Sequence, residues 1–332
     1  MNSKVTIIVP VFNTAKYLND CIKSIEKIEF DNFEVLFIDN CSNDGSFQIL
    51  KKIKNENFRV IRNIKNLGQS YSLNKGIKLS KSPYIAIMDS DDICLPNRLR
   101  ESYEFLEQNP EYALVSGKSN TINEEGHLLK KRKFTFSEDL IKTRIHLDNP
   151  FSHTTIMFRK KAVIKIGGYS KKFKYAQDFD LISKLINRGF KTKIIKKNFT
   201  LVRKHNKQQS FKNQKNQLFE RYQIILNNIK KKVRINKDVN SLIKFIVFKE
   251  DKEFQKKKII KQLETLKNFT DKIFKKKKLR FYFYVLIFSQ PNSFNKHLIF
   301  KIIMEQFFFN KLRFYEREIF LRFGKSLFKL IF

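Results

Sequence analysis

The first ninety residues predict an α/β fold on a mostly parallel sheet, and three features carry that prediction. Short β-branched apolar runs recur at 5–11 (VTIIVPV), 34–39 (EVLFID), 58–62 (FRVIR) and 84–89 (YIAIMD). Between them, 16–28, 46–54 and 70–80 place apolar residues at helical spacing. Polar punctuation follows each run: Phe12-Asn13, Asp39 to Gly45, Asn63, and Asp89 to Asp92. Runs that are apolar almost throughout read as strands covered on both faces. Strand and helix in alternation imply right-handed βαβ units. The punctuation falls at strand carboxyl ends, where open α/β sheets bind their ligands.

Further along, a helix is expected over 97–107, entered through Pro96 as suits a first helical turn. Strand-like runs follow at 113–115, 154–158 and 193–195, with a helix at 179–187 closed by Gly189. After about Ser210 the pattern changes to long helical stretches, lysine runs (256–258 and 275–278) and aromatic clusters. The expected organisation is a domain at 1–210, with halves 1–110 and 111–210, and a basic, Phe-rich helical extension at 211–332.

The chain has 332 residues and a formal charge of +36, and its 42% hydrophobic residues suffice for a sizeable core. That content excludes a wholly disordered chain. Three cysteines, Cys21, Cys41 and Cys94, have no C-x-x-C spacing, which excludes a disulfide scaffold and a structural zinc site. Residues 211–332 hold 30 basic against 10 acidic residues, and 20 of the 35 phenylalanines. A basic, aromatic stretch suits an anionic membrane surface, each nearby Lys being worth about 1 kcal/mol. The longest apolar run there, 281–288, has eight residues, where a spanning helix needs about 20. Segments 298–309 and 314–332 suit the plane of a membrane interface; the alternative is a helical appendage packed on the main domain. No signal peptide is visible at the start, so the expected location is the cytoplasm, with peripheral attachment to the inner face of the membrane.

The sharpest motif is Asp89-Ser90-Asp91-Asp92 at the end of the fourth strand. Carboxylates clustered there repel one another unless a cation sits between them, and hard oxygen ligands suit Mg²⁺ or Mn²⁺. The second motif is Asp39-Asn40-Cys41-Ser42-Asn43-Asp44-Gly45-Ser46. Its Asp39 ends a strand and can accept from a planar ring N–H, while Asp44 and Ser42 can equally cap the next helix. A dinucleotide fold is disfavoured, because Pro10-Val11-Phe12-Asn13 follows the first strand in place of G-x-G-x-x-G.

Together these blocks resemble the family 2 glycosyltransferases, which have the GT-A nucleotide-diphospho-sugar transferase fold. The matching segments are VTIIVPVFN (5–13), FIDNCSNDGS (37–46), NLGQSYSLNKGI (66–77), IAIMDSDD (85–92), PNRL (96–99), IGGY (166–169), AQDFDL (176–181) and VRKHNKQQS (202–210). They stand in the family's order over about 210 residues. The resemblance implies that Pro10, Val11, Phe12, Asn13, Asp39, Asn66 and Ser90 serve the nucleotide, with Asp44 supporting that loop. It implies that Asp91 and Asp89 fix a metal, Mn²⁺ or Mg²⁺, at the diphosphate. Arg203 and His205 match a basic pair near the diphosphate or the metal. Asp178 stands where the family carries its general base, with Asp180 as rival.

There are departures from the family pattern. Gln177 replaces a common Glu and removes a charge beside Asp178, and Asn40 replaces a common Asp and bears on base or ribose recognition. His153, before the 154–158 run, is a candidate for the sugar or acceptor, although a lone polar residue at a strand start is more often structural. The chemistry implied is inverting transfer from a nucleotide-sugar donor, UDP-linked by family habit, to a hydroxyl of a glycan or lipid-linked glycan. The chain has no Trp, so the Q-x-x-R-W block of processive synthases is absent and a non-processive enzyme is expected. Two rivals stand beside this reading: a nucleotidyltransferase of similar fold, and a basic nucleic-acid-binding protein. The first lacks a Gly- and Lys-rich phosphate loop. The second lacks any recognisable nucleic-acid motif, so no specific nucleic-acid partner is expected.

Overall fold

Strand β1 (Val5–Val11) is buried along its whole length, as an apolar run without alternation requires. It is the centre of a computed structural model that describes residues 3–131, 137–230, 233–248 and 268–273. The following elements are α1 (Ala15–Glu26), β2 (Phe33–Asp39), α2 (Ser46–Lys51), β3 (Phe58–Arg62), α3 (Gln69–Leu79) and β4 (Tyr84–Ile87). Then come β5 (Ile93–Cys94), α4 (Arg98–Gln108), β6 (Tyr112–Ile122), β7 (Leu128–Lys130), α5 (Glu138–Arg144) and a 3-10 turn (His153–Thr155). The order closes with β8 (Met157–Arg159), α6 (Lys160–Lys165), α7 (Gln177–Asn187), β9 (Lys191–Arg203), α8 (Gln209–Lys212), α9 (Gln214–Ile229) and α10 (Lys237–Phe248).

The chain divides into two compact units, residues 1–141 with 148–220, and residues 142–147 with 221 onward. The first carries a mixed sheet in the order β3-β2-β1-β4-β8-β6-β9-β5, with β7 on β6. Strands β3, β2, β1 and β4 are parallel, as the βαβ alternation predicts. Strand β8 runs antiparallel to β4 and β6, while β6 and β9 pair in parallel. The strand order reverses at β1, because β2 lies on one side and β4 on the other. Such a switch point opens a crevice at the carboxyl ends of the strands.

Helix α1 buries Leu18, Cys21, Ile22 and Ile25, one face at helical spacing, in the core cluster that holds Val9, Phe37 and Met88. Each such side chain fully buried contributes roughly 1.5–3 kcal/mol. Helix α3 comes close to the sheet because Gly76 has no side chain; a Cβ there would lie 2.7 Å from Ile8 Cγ2. In the second unit, Ile224, Ile225, Ile229, Val239 and Ile243 are buried. The Tyr222 hydroxyl donates to Asn240 Oδ1 there, and the Tyr222 and Phe248 rings lie 5.6 Å apart.

Four expected strands differ from what forms. The 154–158 run splits into a 3-10 turn and β8, because Thr155 Oγ1 donates to the Ser152 carbonyl at 2.8 Å and tightens the chain. Strand β4 ends at Ile87, because the Asp89 amide donates to Thr154 Oγ1. Strands β6 and β9 reach 11 and 13 residues, well past the short apolar runs 113–115 and 193–195. Their outer halves are polar and pair with each other across register shifts, so side-chain hydrophobicity does not mark them. Most of the expected extension, including 256–258, 275–278, 281–288, 298–309 and 314–332, lies outside the described residues. Among the described residues no helix is long and apolar enough to cross a membrane.

Candidate active site

A 430 Å³ cleft opens at the switch point between β1 and β4, within the roughly 300–1,000 Å³ of small-molecule sites. One wall is the turn after β1, Pro10, Val11, Phe12 and Asn13, with Asn40 and Asn66 beside it. The acidic turn Asp89–Asp92 forms the floor, and Gln177 and Asp178 at the start of α7 face it with His153, Tyr175, His205 and Lys207. Residues more than a hundred positions apart therefore meet at one site.

The turn after β1 is held open by local geometry. Asn13 adopts φ 54°, a left-handed conformation that Asn tolerates, and its Oδ1 accepts from the Asn43 amide at 3.0 Å. Asp44 accepts from Ala15 N at 2.9 Å and from Ser46 N and Oγ at 3.0 and 2.6 Å. It thereby caps α1, which has no acidic residue of its own in the first turn, and α2. Burial opposes its ionisation, but the Ser46 and Ala15 donors hold the carboxyl below its ordinary value. Asn40 Nδ2 donates to Asn66 Oδ1 at 2.7 Å while Asn40 Oδ1 accepts from Asn63 Nδ2 and Leu67 N, both at 3.0 Å. A carboxylate at position 40 has no N–H to give Asn66, so the departure to Asn is matched to its neighbours.

On the floor, Asp91 Oδ2 lies 2.9 Å from His205 Nε2, and Asp89 Oδ1 lies 3.7 Å from His153 Nδ1. His205 rests on the Tyr17 ring, centroids 4.5 Å apart, and its buried Nδ1 has no hydrogen-bond partner. Burial opposes charge on His153, yet the nearby Asp89 carboxylate raises its pKa overall. Asp92 is buried and accepts from Arg203 N at 2.9 Å; burial, then the charges of Asp91 and Asp89, push its carboxyl well up. Below the turn, the buried guanidinium of Arg98 donates to the Ile87 carbonyl at 2.5 Å and ties β4 to the segment around Ile156.

Asp91 and Asp89 supply hard carboxylate oxygens, which Mn²⁺ and Mg²⁺ accept, and His205 places an imidazole nitrogen beside Asp91. Among the described residues no group of three or more His, Cys, Asp or Glu closes into a metal cage.

Opposite the floor, Asp178 Oδ2 accepts from Asn149 Nδ2 at 2.8 Å, and Asn149 Oδ1 accepts from Phe151 N at 3.1 Å. Asp180 is turned away from the cleft and pairs with Lys184 at 2.5 Å on the same helix. Gln177 Nε2 donates to Gln69 Oε1 at 2.8 Å, and Gln69 Nε2 donates to Asp89 Oδ1 at 3.3 Å. An amide relay thus links the two sides of the site.

Two of the expected site residues lie outside the cleft lining. Asp39 is fully buried, accepts from the Ser42 amide and pairs with Arg62 at 3.2 Å, and does not line the cleft. Arg203 is 1% exposed and also stays out of the cleft; its side chain donates to Asp20 Oδ2 at 2.9 Å and to the carbonyls of Asp91 and Glu124 at 3.1 and 2.6 Å. It supports the acidic turn from behind, and Lys174 and Lys207 are the lysines that line the cleft. Sequence reasoning missed Gln69, Asn149, Tyr175 and Lys207. Gln69 stands inside the 66–77 block and Lys207 inside the 202–210 block, whereas Asn149 has no signal of its own.

Comparison with known proteins adds to this geometry. The family model described as glycosyl transferase family 2 matches residues 6–167. The O-antigen biosynthesis glycosyltransferase WbnJ of Escherichia coli is 32% identical over 187 residues, 55% of this chain and 72% of that protein. A glycosyltransferase of Methanocaldococcus jannaschii is 31% identical over 198 residues, 58% of this chain and 67% of that one. The S. aureus TarS 1–349 structure in complex with UDP-GlcNAc superposes with a TM-score of 0.59 at 18% identity, covering 85% of this chain and 84% of TarS 1–349. The Pyrobaculum calidifontis mannosyltransferase PcManGT, in complex with GDP-Man and Mn²⁺, gives 0.54 at 16%, covering 74% and 70%. These likenesses establish the GT-A-like fold. With the matched segment spanning β1 to α6, and relatives above 30% identity aligned over two thirds of their length, the chain belongs to glycosyl transferase family 2.

Proposed function

We propose that the chain is an inverting, metal-dependent glycosyltransferase that moves a sugar from a nucleotide-diphospho-sugar to a hydroxyl of a glycan or lipid-linked glycan. The observation that carries this reading is that Asp91, paired with His205, and Asp178 line one cleft at the switch point of the sheet. In this reading the turn Pro10–Asn13, with Asn40 and Asn66, receives the nucleoside. Asp91, Asp89 and His205 hold Mn²⁺ or Mg²⁺, which when bound neutralises charge developing on the departing diphosphate. Lys207 adds a protein cation on the same side.

Asp178 takes the proton of the acceptor hydroxyl as attack proceeds. Asn149 orients it through the 2.8 Å hydrogen bond to Oδ2. In this reading a single base, with no protein nucleophile, gives one in-line displacement and hence inversion at the anomeric carbon. Asp180, engaged with Lys184, is not the base in this assignment. UDP is the first nucleotide to test, and a UDP complex of a protein of the same fold supports that choice. The O-antigen and amylovoran biosynthesis enzymes among the relatives support a surface polysaccharide as the acceptor class.

The test is release of nucleoside diphosphate from UDP-, GDP- and dTDP-sugars in Mn²⁺, with the anomeric configuration of any glycoside formed read by NMR. Nucleotide release from one donor, with inverted product, is the expected result. A retained configuration contradicts the assignment of Asp178.

A further inference from the structure

The loop that leads into α7 is anchored by a carboxylate from a distant part of the sequence. Glu220 Oε1 accepts from Lys174 N at 2.9 Å, and its Oε2 accepts from Tyr175 N at 2.7 Å and Ala176 N at 2.8 Å. One turn earlier on α9, Gln217 Nε2 donates to the Tyr175 carbonyl at 3.0 Å. From the other side, Ser70 Oγ contacts the Phe173 carbonyl at 3.4 Å. The Ala176 carbonyl in turn accepts from the Asp180 amide at 3.1 Å and closes the first turn of α7. Three successive N–H groups aimed at one point form a concave anion seat, and amides at a helix start have no intrahelical acceptor. Charge-assisted bonds of this kind are the stronger class, and a negative charge is favourable at that end of a helix. The two residues after this seat, Gln177 and Asp178, line the cleft with Lys174 and Tyr175.

We propose that Glu220 is a positioning residue for transfer: by gripping the amides of residues 174–176 it sets where α7 begins and therefore where Asp178 stands. The inference rests on the transferase reading above and deepens it. Glu220 and Gln217 lie beyond the expected boundary at 210, so the start of α9 takes part in building the catalytic half. Glu220 touches no reacting atom; it acts through the backbone that carries the base.

The test uses the full chain with Glu220→Ala and the isosteric Glu220→Gln, each followed by amide hydrogen exchange and by steady-state kinetics. Exchange in peptides covering 171–180 is expected to rise about tenfold or more in Glu220→Ala, with β1 and β4 peptides unchanged. In kinetics, kcat is expected to fall about 10- to 100-fold in Glu220→Ala and less in Glu220→Gln, with donor KM and UDP affinity held within about twofold. Unchanged exchange shows that the carboxylate does not hold the loop and overturns the inference. So does raised exchange with unaltered kcat, or an equal loss of kcat and UDP affinity, which marks a general role in folding. A wild-type chain that turns over no nucleotide sugar removes the transferase reading and the positioning role with it, while the exchange result still decides whether the anchor exists.

Discussion

Asp91 and His205, 114 positions apart in the chain, place Oδ2 and Nε2 2.9 Å from each other at the floor of the cleft. His205 sits two residues past the end of β9, whose backbone pairs with β6, so the far side of the mixed sheet delivers the imidazole to the acidic turn after β4. If the pair holds the metal, Asp91→Asn or His205→Ala should each weaken Mn²⁺-dependent nucleotide binding by at least about 10–100-fold. Calorimetry with and without Mn²⁺ checks this, and metal-independent binding should be the same in all three proteins.

The base assignment separates two carboxylates on one helix. Asp178→Asn should retain nucleotide affinity and lose about 10²–10⁴-fold in kcat. Asp180→Asn should stay within a few-fold of the wild type, because its partner is Lys184 and it does not face the cleft. The reverse pattern in a transfer assay would move the base to Asp180.

Arg203 should behave as a scaffold residue. Its substitution by Leu leaves the carbonyls of Asp91 and Glu124 without their donor, at a cost of about 1–3 kcal/mol per buried group left unpaired. Thermal or urea unfolding should therefore show a clear loss of stability. Asp20→Asn should have a much smaller effect, because the Asp20 side chain is 55% exposed and solvent screens its ion pair.

Asp44 sets a pH dependence whose sign follows from its lowered pKa. A carboxyl depressed on folding adds stability above its unfolded value of 3.8, and that contribution is lost as pH falls through the still lower folded value. Asp44→Ala should destabilise by about 1 kcal/mol at pH 7, the worth of an exposed cap. The gap between wild type and variant should close below pH 3.8 in chemical denaturation.

Much of the first half of the sheet was legible in the sequence. Strand β1 has the bounds that VTIIVPV predicts, because a strand covered on both faces announces itself by continuous apolar residues. Strand β3 has those of FRVIR, but it lies at the sheet edge with only Phe58 buried, so the expectation of two covered faces does not hold for it. The second half was less legible. Strand β9, KTKIIKKNFTLVR, buries Thr192, Ile194, Phe199 and Thr200 among exposed lysines, a pattern with no clean period. Within the site, Asp89, Asp91, Asp178 and His205 were readable because charged groups at strand ends and helix starts are conspicuous. The family resemblance then gave each a role. That Arg203 packs behind the acidic turn was not legible, because sequence shows that a cation is present but not which way it points. Asn149 and Gln69 act through neutral amides whose value depends on partners 29 and 20 residues away.

The central claim is that the Asp89–Asp91 turn and His205 hold a divalent cation that binds a nucleoside diphosphate in the cleft. Its most direct test is calorimetric titration of UDP into the protein in Mn²⁺, repeated with excess EDTA, with GDP and dTDP as further titrants. The account predicts saturable binding of one nucleotide that collapses on chelation and is absent in Asp91→Ala. Binding of equal strength in EDTA, or of none of the three nucleotides in Mn²⁺, would contradict it.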